Sequence, residues 1–320
     1  QLYDYIDANA GKIDYDVIDF ISNTRAPQDN AVLNLNNNEL VVNGIPRIFL
    51  SDSQNVGIVP KGNQITLKKN RDFDFSGRIQ AGLLNFYGED FTFSYDSFKV
   101  NLNNIDSLNL AVISDSVDTY GNPIIQGVEN NIENITGELF IDDPLNKSGL
   151  EDFPEYPQFW STTNSYVYYD VTAGMDSTIY PRDEFYYKLN PFTITNLTEL
   201  TRYDLNFNGE FIAGQIFPTL KQDLIIQEDM SLGFVVEAPE EGLPAYEGKA
   251  VFYNSLALNN KGIQGNGTLD YLNSTTASER FRFYPDSMLA RARSFTLEQD
   301  TIDGRYPRVL AENVNISWYP

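Results

Sequence analysis

Hydrophobic side chains recur at every second position along most of this chain, and that period fixes much of what it can fold into. Asp90-Phe-Thr-Phe-Ser-Tyr places Phe91, Phe93 and Tyr95 on one face, and Gln64-Ile-Thr-Leu and Asp72-Phe-Asp-Phe alternate in the same way. Val167, Tyr169, Phe185, Tyr187, Leu269 and Tyr271 continue the pattern later. Alternation means strands with one buried and one wetted face, the pattern of antiparallel sheets. Asn43-Gly44, Asn208-Gly209 and Asn266-Gly267 read as tight turns, because Asn-Gly accepts the positive φ that hairpins need. The spacing predicts an all-β, elongated protein of stacked or sandwiched antiparallel sheets. The best helical segment is Pro285-Asp-Ser-Met-Leu-Ala-Arg-Ala-Arg, with Asp286 or Ser287 as its N-cap.

With 320 residues the chain is long enough for two sections. The stretch from Asp142-Asp-Pro-Leu-Asn to Glu155-Tyr-Pro carries prolines and acids with little alternation. Proline removes a ladder donor and carboxylates resist burial, so this stretch is expected to be a linker or surface crossing. The expected organisation is a β section over 1–142, a linker over 143–155 and a second β section over 156–320.

The side-chain inventory removes several chemistries. There is no cysteine and no histidine, which excludes disulfides, zinc-thiolate sites, cysteine nucleophiles and any Ser-His-Asp triad. Acidic side chains number 45 against 22 basic ones, a formal charge of −23. That balance opposes binding to nucleic acid or to an anionic membrane surface. No apolar run reaches the roughly 18 residues of a membrane-spanning helix. The chain starts at Gln1 without a signal-like apolar segment, as expected of a mature exported chain or a section of something longer.

Other chemistries remain open to these residues. Asp115 with Asp118, and Asp142 with Asp143, are candidate calcium ligands, since calcium wants several hard oxygens. No other cofactor is called for. Carboxylate pairs also serve glycoside hydrolysis, which needs no histidine, and Glu151 or Glu155 beside Trp160 is the nearest approach to such a site. Acids are abundant enough for such pairs to arise by chance, and the reading is of a non-enzymatic protein. Trp160, Tyr166 and Tyr168 are candidates for glycan or partner binding, because exposed aromatic faces stack on sugars and their polar tips tolerate water. Tyr168 should face away from its neighbour Tyr169. The basic residues concentrate late, at Arg280, Arg282, Arg291, Arg293, Arg305 and Arg308. On so acidic a chain, Arg280, Arg282, Arg291 and Arg293 either pair with the acidic excess of the chain itself or form a docking surface for an acidic partner or a further section of the same chain.

Several stretches carry a resemblance: Gly77-Arg-Ile-Gln-Ala-Gly through Phe86-Tyr-Gly-Glu-Asp-Phe-Thr-Phe-Ser-Tyr, Gly137-Glu-Leu-Phe-Ile-Asp-Asp-Pro, Gly265-Asn-Gly-Thr-Leu-Asp-Tyr-Leu and Pro285-Asp-Ser-Met. The chain resembles part of a family of very large exported β-rich envelope or surface proteins of Bacteroidota. The resemblance covers most of residues 30–320. It implies an exported section, periplasmic, outer-membrane associated or on the cell surface, whose partners are other envelope proteins or further sections of one long chain. No catalytic residues carry over from it. Upstream of residue 80 the chain also looks like the stacked short strands of β-solenoid or open taco proteins. The lineage would make Asp-Ser/Thr-aliphatic triplets candidate O-glycosylation sites, at Ser107, Ser116, Ser177, Ser287 and Thr301. The expected function is a structural or scaffold section acting by protein–protein docking; the alternatives are a glycan-binding module and a lipid-conducting β-groove.

Overall fold

The computed structural model describes residues 2–3, 17–18, 30–170, 179–301 and 304–320, with side chains over 30–170, 179–299 and 308–320. The chain is all-β with two large antiparallel sheets, neither closed into a barrel. It packs as two compact units, one of residues 1–165 and 190–205, the other of residues 166–189 and 206–320.

In the first unit the ladder runs Ala31–Asn34, Glu39–Asn43, Gln64–Leu67, Phe73–Ala81, Leu84–Ser94, Lys99–Val117, Ile132–Phe140 and Gln158–Ser161. The alternation predicted for Phe91, Phe93 and Tyr95 is present: all three are buried. Phe73 meets Phe93 at 4.9 Å between ring centroids, and Phe86 meets Phe159 at 4.8 Å. Offset aromatic contacts of this kind add to the area they bury.

The acidic, proline-bearing stretch 143–155 lies inside this unit, and the chain passes between the units after Ser165, Leu189 and Leu205. A buried carboxylate holds the stretch, where the composition suggests only exposed ones. Asp142 is 1% exposed; it accepts hydrogen bonds from Gln54 Nε2 (3.3 Å), Asn146 Nδ2 (3.1 Å) and the Asp143 amide (2.7 Å). Asn146 in turn donates to the Glu151 carbonyl and accepts from the Glu151 amide. A buried charge is tolerable when protein donors replace water, and here they fasten the irregular segment to the body.

In the second unit the main sheet is a meander: Leu224–Ile226, Leu232–Glu237, Ala250–Asn259, Gly262–Tyr271, Ser274–Phe283, Met288–Thr301 and Gly304–Trp318. Its core is aromatic. Tyr180 stacks on Phe185 at 4.1 Å, Phe185 meets Phe211 edge-on at 5.0 Å, and Phe217 meets Phe283 at 4.9 Å. Asn266-Gly267 is not a turn but lies within Gly262–Tyr271, with Asn266 paired to Ser255. Gly267 has φ 158°, and a Cβ there would lie 1.9 Å from the Tyr253 carbonyl oxygen, so close backbone approach selects the glycine.

The helix expected over Pro285–Arg293 is a strand from Met288 onward. Met288, Ala290 and Ala292 are buried, whereas Leu289, Arg291 and Arg293 are exposed, a period of two. Pairing to Ser274–Phe283 on one side and Gly304–Trp318 on the other overrides the local helix preference of Leu-Ala-Arg-Ala-Arg. The parity then changes. Phe295 and Leu297 line the same inner-face groove as Met288, and between the pairs Ala292–Val314 and Ser294–Glu312 residue Asn313 takes φ 55°.

Candidate functional site: an arginine-bearing face beside an open strand edge

Arg280 and Arg282 alternate with Phe281 and Phe283, both fully buried. Their guanidinium stems therefore leave the opposite face of strand Ser274–Phe283. Arg282 pairs with Leu289 across the ladder, which puts Leu289, Arg291 and Arg293 of the next strand on that same outer face. Arg291 pairs with Asn315, and Leu289 with Ser317, on the final strand. The structure thus brings together the four arginines predicted from sequence, on neighbouring strands of one surface. All four are exposed, and none has a side-chain hydrogen bond or carboxylate partner among the described residues. In a chain of net charge −23, positive charge left uncompensated and clustered creates a local field opposite to that of the whole.

A groove of about 600 Å³ runs through this face, lined by Arg280, Arg282, Arg291, Leu289, Asn315 and Ser317 together with one carboxylate, Glu279. Asn315 and Ser317 were not singled out in the sequence; only their pairing with Arg291 and Leu289 reveals them. They belong to Gly304–Trp318, which is hydrogen-bonded to Met288–Thr301 and to no other described strand. Among the described residues no strand pairs with the outer amides and carbonyls of that strand.

The inner face of the same edge is more apolar, with Glu298, Gln299 and Arg308 also on it. A second groove of about 910 Å³ is lined by Leu269, Met288, Phe295, Leu297, Ile316 and Trp318 among others. Trp318 is held from inside by Tyr246 at 5.1 Å and Tyr271 at 4.6 Å. The two grooves share Asn315, Ile316 and Ser317, so they flank one strand. Arg308 lies on this strand and borders the inner groove; the Arg305 side chain lies outside the described residues.

The other sequence-derived candidates are dispersed. Trp160 is 44% exposed, donates from Nε1 to Gln158 and packs against Phe140 at 4.8 Å. Glu151 and Glu155 are exposed, and the Glu151 backbone is held by Asn146. In the second unit Tyr166 and Tyr168 are half-buried and stacked at 6.1 Å, with Tyr186 set edge-on to Tyr166 at 5.7 Å. Tyr169 faces the other way, fully buried, as expected from alternation. The Arg182 guanidinium lies 4.0 Å over the Tyr168 ring, a cation–π contact, and pairs with Asp170 at 3.1 Å.

The calcium candidates are engaged by protein donors. Asp118 accepts from the Tyr120 and Asn122 amides and from the Asn122 side chain, which hold its carboxyl below the usual carboxylate range and close the turn. Asp115 meets Arg202 at 3.2 Å and the Tyr203 hydroxyl at 3.5 Å. Asp142 holds the turn described above, and Asp143 accepts from the Leu145 amide at 2.8 Å. Among the described residues no group of three acidic side chains converges as a metal site would require.

Of the triplet hydroxyls, Ser116 is exposed near the end of strand Lys99–Val117, Ser107 donates to Asn109, and Ser287 donates to Asp286. Ser177 and the Thr301 side chain lie outside the described residues.

Four buried phenols were not distinguished by sequence. Tyr169, Tyr180, Tyr187 and Tyr246 donate to the carbonyls of Leu232, Phe283, Gln222 and Ser287 respectively. Burial pushes all four phenols well above the usual tyrosine range. Their role is structural: each satisfies a carbonyl that burial would otherwise leave costly.

No described helix is long and apolar enough to cross a membrane. Comparison with family models, curated proteins and solved structures finds no match to this chain.

Proposed function

We propose that this chain is a non-enzymatic scaffold section of a large exported envelope or surface protein, acting by protein–protein docking. The observation that carries the reading is the outer edge of strand Gly304–Trp318, which no other described strand pairs, with arginines on the strands beside it that have no ion-pair partner among the described residues. An open edge is a template for another chain, and natural edges are otherwise blunted or covered. Its basic flank discriminates among partners by charge. Extended sheets with aromatic cores supply stiffness, and the acidic remainder keeps the section soluble.

The test is chemical cross-linking in envelope extracts with Arg282→Glu/Arg291→Glu as control. Specific protein adducts at residues 280–318, lost in the variant, are expected. Adducts that are absent or indifferent to the variant count against docking at this face.

A second reading rests on Tyr166, Tyr168 and Tyr186, whose stacked and edge-on rings form a platform suited to sugars. A glycan array separates the two. Selective glycan binding lost in Tyr166→Ala/Tyr168→Ala, by a chain that takes no protein partner, favours this reading over the scaffold.

A further inference from the structure

The two faces of the open edge differ in chemistry, one bearing arginines and the other a mainly apolar groove, and that difference specifies what fits beside it. On the outer face stand Arg282 and Arg291, then Asn315 and Ser317 on the edge strand itself. On the inner face stand Ile316 and Trp318, with the apolar groove behind them. A strand added here would lie about 4.8 Å from the edge and present its side chains alternately to these two surfaces.

We infer that the occupant of this edge is an extended acidic segment of a partner protein in which carboxylates alternate with aliphatic or aromatic residues. The inference rests on the docking reading above and adds the chemistry of the partner. Main-chain hydrogen bonds to the unpaired edge supply sequence-independent attraction. Carboxylates on one side face Arg291 and its neighbours, which have no ion-pair partner among the described residues, so no described ion pair has to be broken. Apolar residues on the other side cover the inner groove. A shift of one residue would turn the acids toward Trp318 and the apolar residues toward Arg291, so charge and burial together set the register. Charge complementarity also argues against a basic occupant, which would add positive charge to a face that already carries four arginines.

The test uses the whole protein and a fluorescein-labelled peptide alternating Glu with Val, read by fluorescence anisotropy at low and physiological salt. Three comparison peptides are used: one alternating Lys with Val, one with the same Glu and Val in two blocks, and one N-methylated at every second amide. The alternating acidic peptide is expected to bind, with affinity falling as salt rises. Each comparison peptide is expected to bind at least about 10-fold more weakly, one step of roughly 1.4 kcal/mol. Arg282→Glu/Arg291→Glu should abolish binding with circular dichroism and thermal midpoint retained.

Equal binding of the N-methylated peptide would overturn strand addition while leaving electrostatic docking intact. Equal binding of the lysine peptide would overturn the charge assignment. No binding of any peptide overturns the inference, whereas the scaffold reading is then decided by cross-linking alone. Dimerisation of the chain that the arginine variant abolishes would also overturn it, by giving the edge to a second copy. So would uptake of a fluorescent fatty acid into the inner groove by a chain that ignores all the peptides.

Discussion

Arg291 and Asn315 are direct partners across the last ladder of the second sheet, one strand in from its open edge. A guanidinium set here has an uncharged neighbour on the edge side and open solvent beyond it. Among the described residues no carboxylate forms an ion pair with it. Replacing Arg291 and Arg282 with glutamate should therefore leave folding almost untouched, within about 0.5 kcal/mol by urea denaturation, as for surface sites without a structural partner. A large loss of stability would show that these side chains serve the sheet itself.

Asp142 has the opposite character. Its buried carboxylate accepts from Gln54, Asn146 and the Asp143 amide. Asp142→Ala leaves buried donors without an acceptor and should cost about 2 kcal/mol or more. Urea denaturation with fluorescence detection measures it. Limited proteolysis should show new cleavage over 143–155, since the same contacts fasten that segment.

Tyr180→Phe should cost about 1 kcal/mol by removing the bond to the Phe283 carbonyl at 2.7 Å. Gly262→Ala should disturb the same place by another route. Gly262 has φ 86°, and a Cβ there would lie 2.3 Å from the Tyr180 hydroxyl oxygen. Strain and displacement together predict a loss of about 1–3 kcal/mol. A double-mutant cycle with Tyr180→Phe should be non-additive, because both changes act on one contact.

The four buried phenols also predict an alkaline limit. Their folded-state pKa values lie above the unfolded value of about 10. The unfolded chain releases those protons first, so the stability they confer is complete below pH 10 and is lost as pH rises past it. Denaturant midpoints measured across this range should fall steeply. The variant with phenylalanine at all four positions should start lower and show a flatter decline.

The sequence showed the strands and the faces where alternation was strict. Phe91, Phe93 and Tyr95 go inward together, and Tyr168 and Tyr169 diverge, because a period of two follows from backbone geometry alone. The Arg280/Arg282 pair was legible for the same reason, whereas the placing of Arg291 and Arg293 on the adjacent strand depends on Arg282 meeting Leu289 across a ladder that no local pattern encodes. The segment from Met288 to Arg293 suits both a helix and a strand, and its neighbours decide between them. Asp142 looked like part of a solvated linker because its partner Gln54 lies 88 residues upstream. The tyrosine hydroxyls were hidden likewise, with 103 residues between Tyr180 and the carbonyl it reaches.

The change of parity near Ser294 gives the basic face a limited tolerance to mutation. Before that point, substitution of an outward side chain alters chemistry without disturbing the core. Deletion of a single residue between Met288 and Arg293 would instead turn guanidiniums toward Trp318 and alanines toward solvent. Point mutation can therefore change charge at this surface at little cost to folding, whereas changes of length there should unfold the sheet edge, and variant libraries of the two kinds should separate sharply on yield of folded protein.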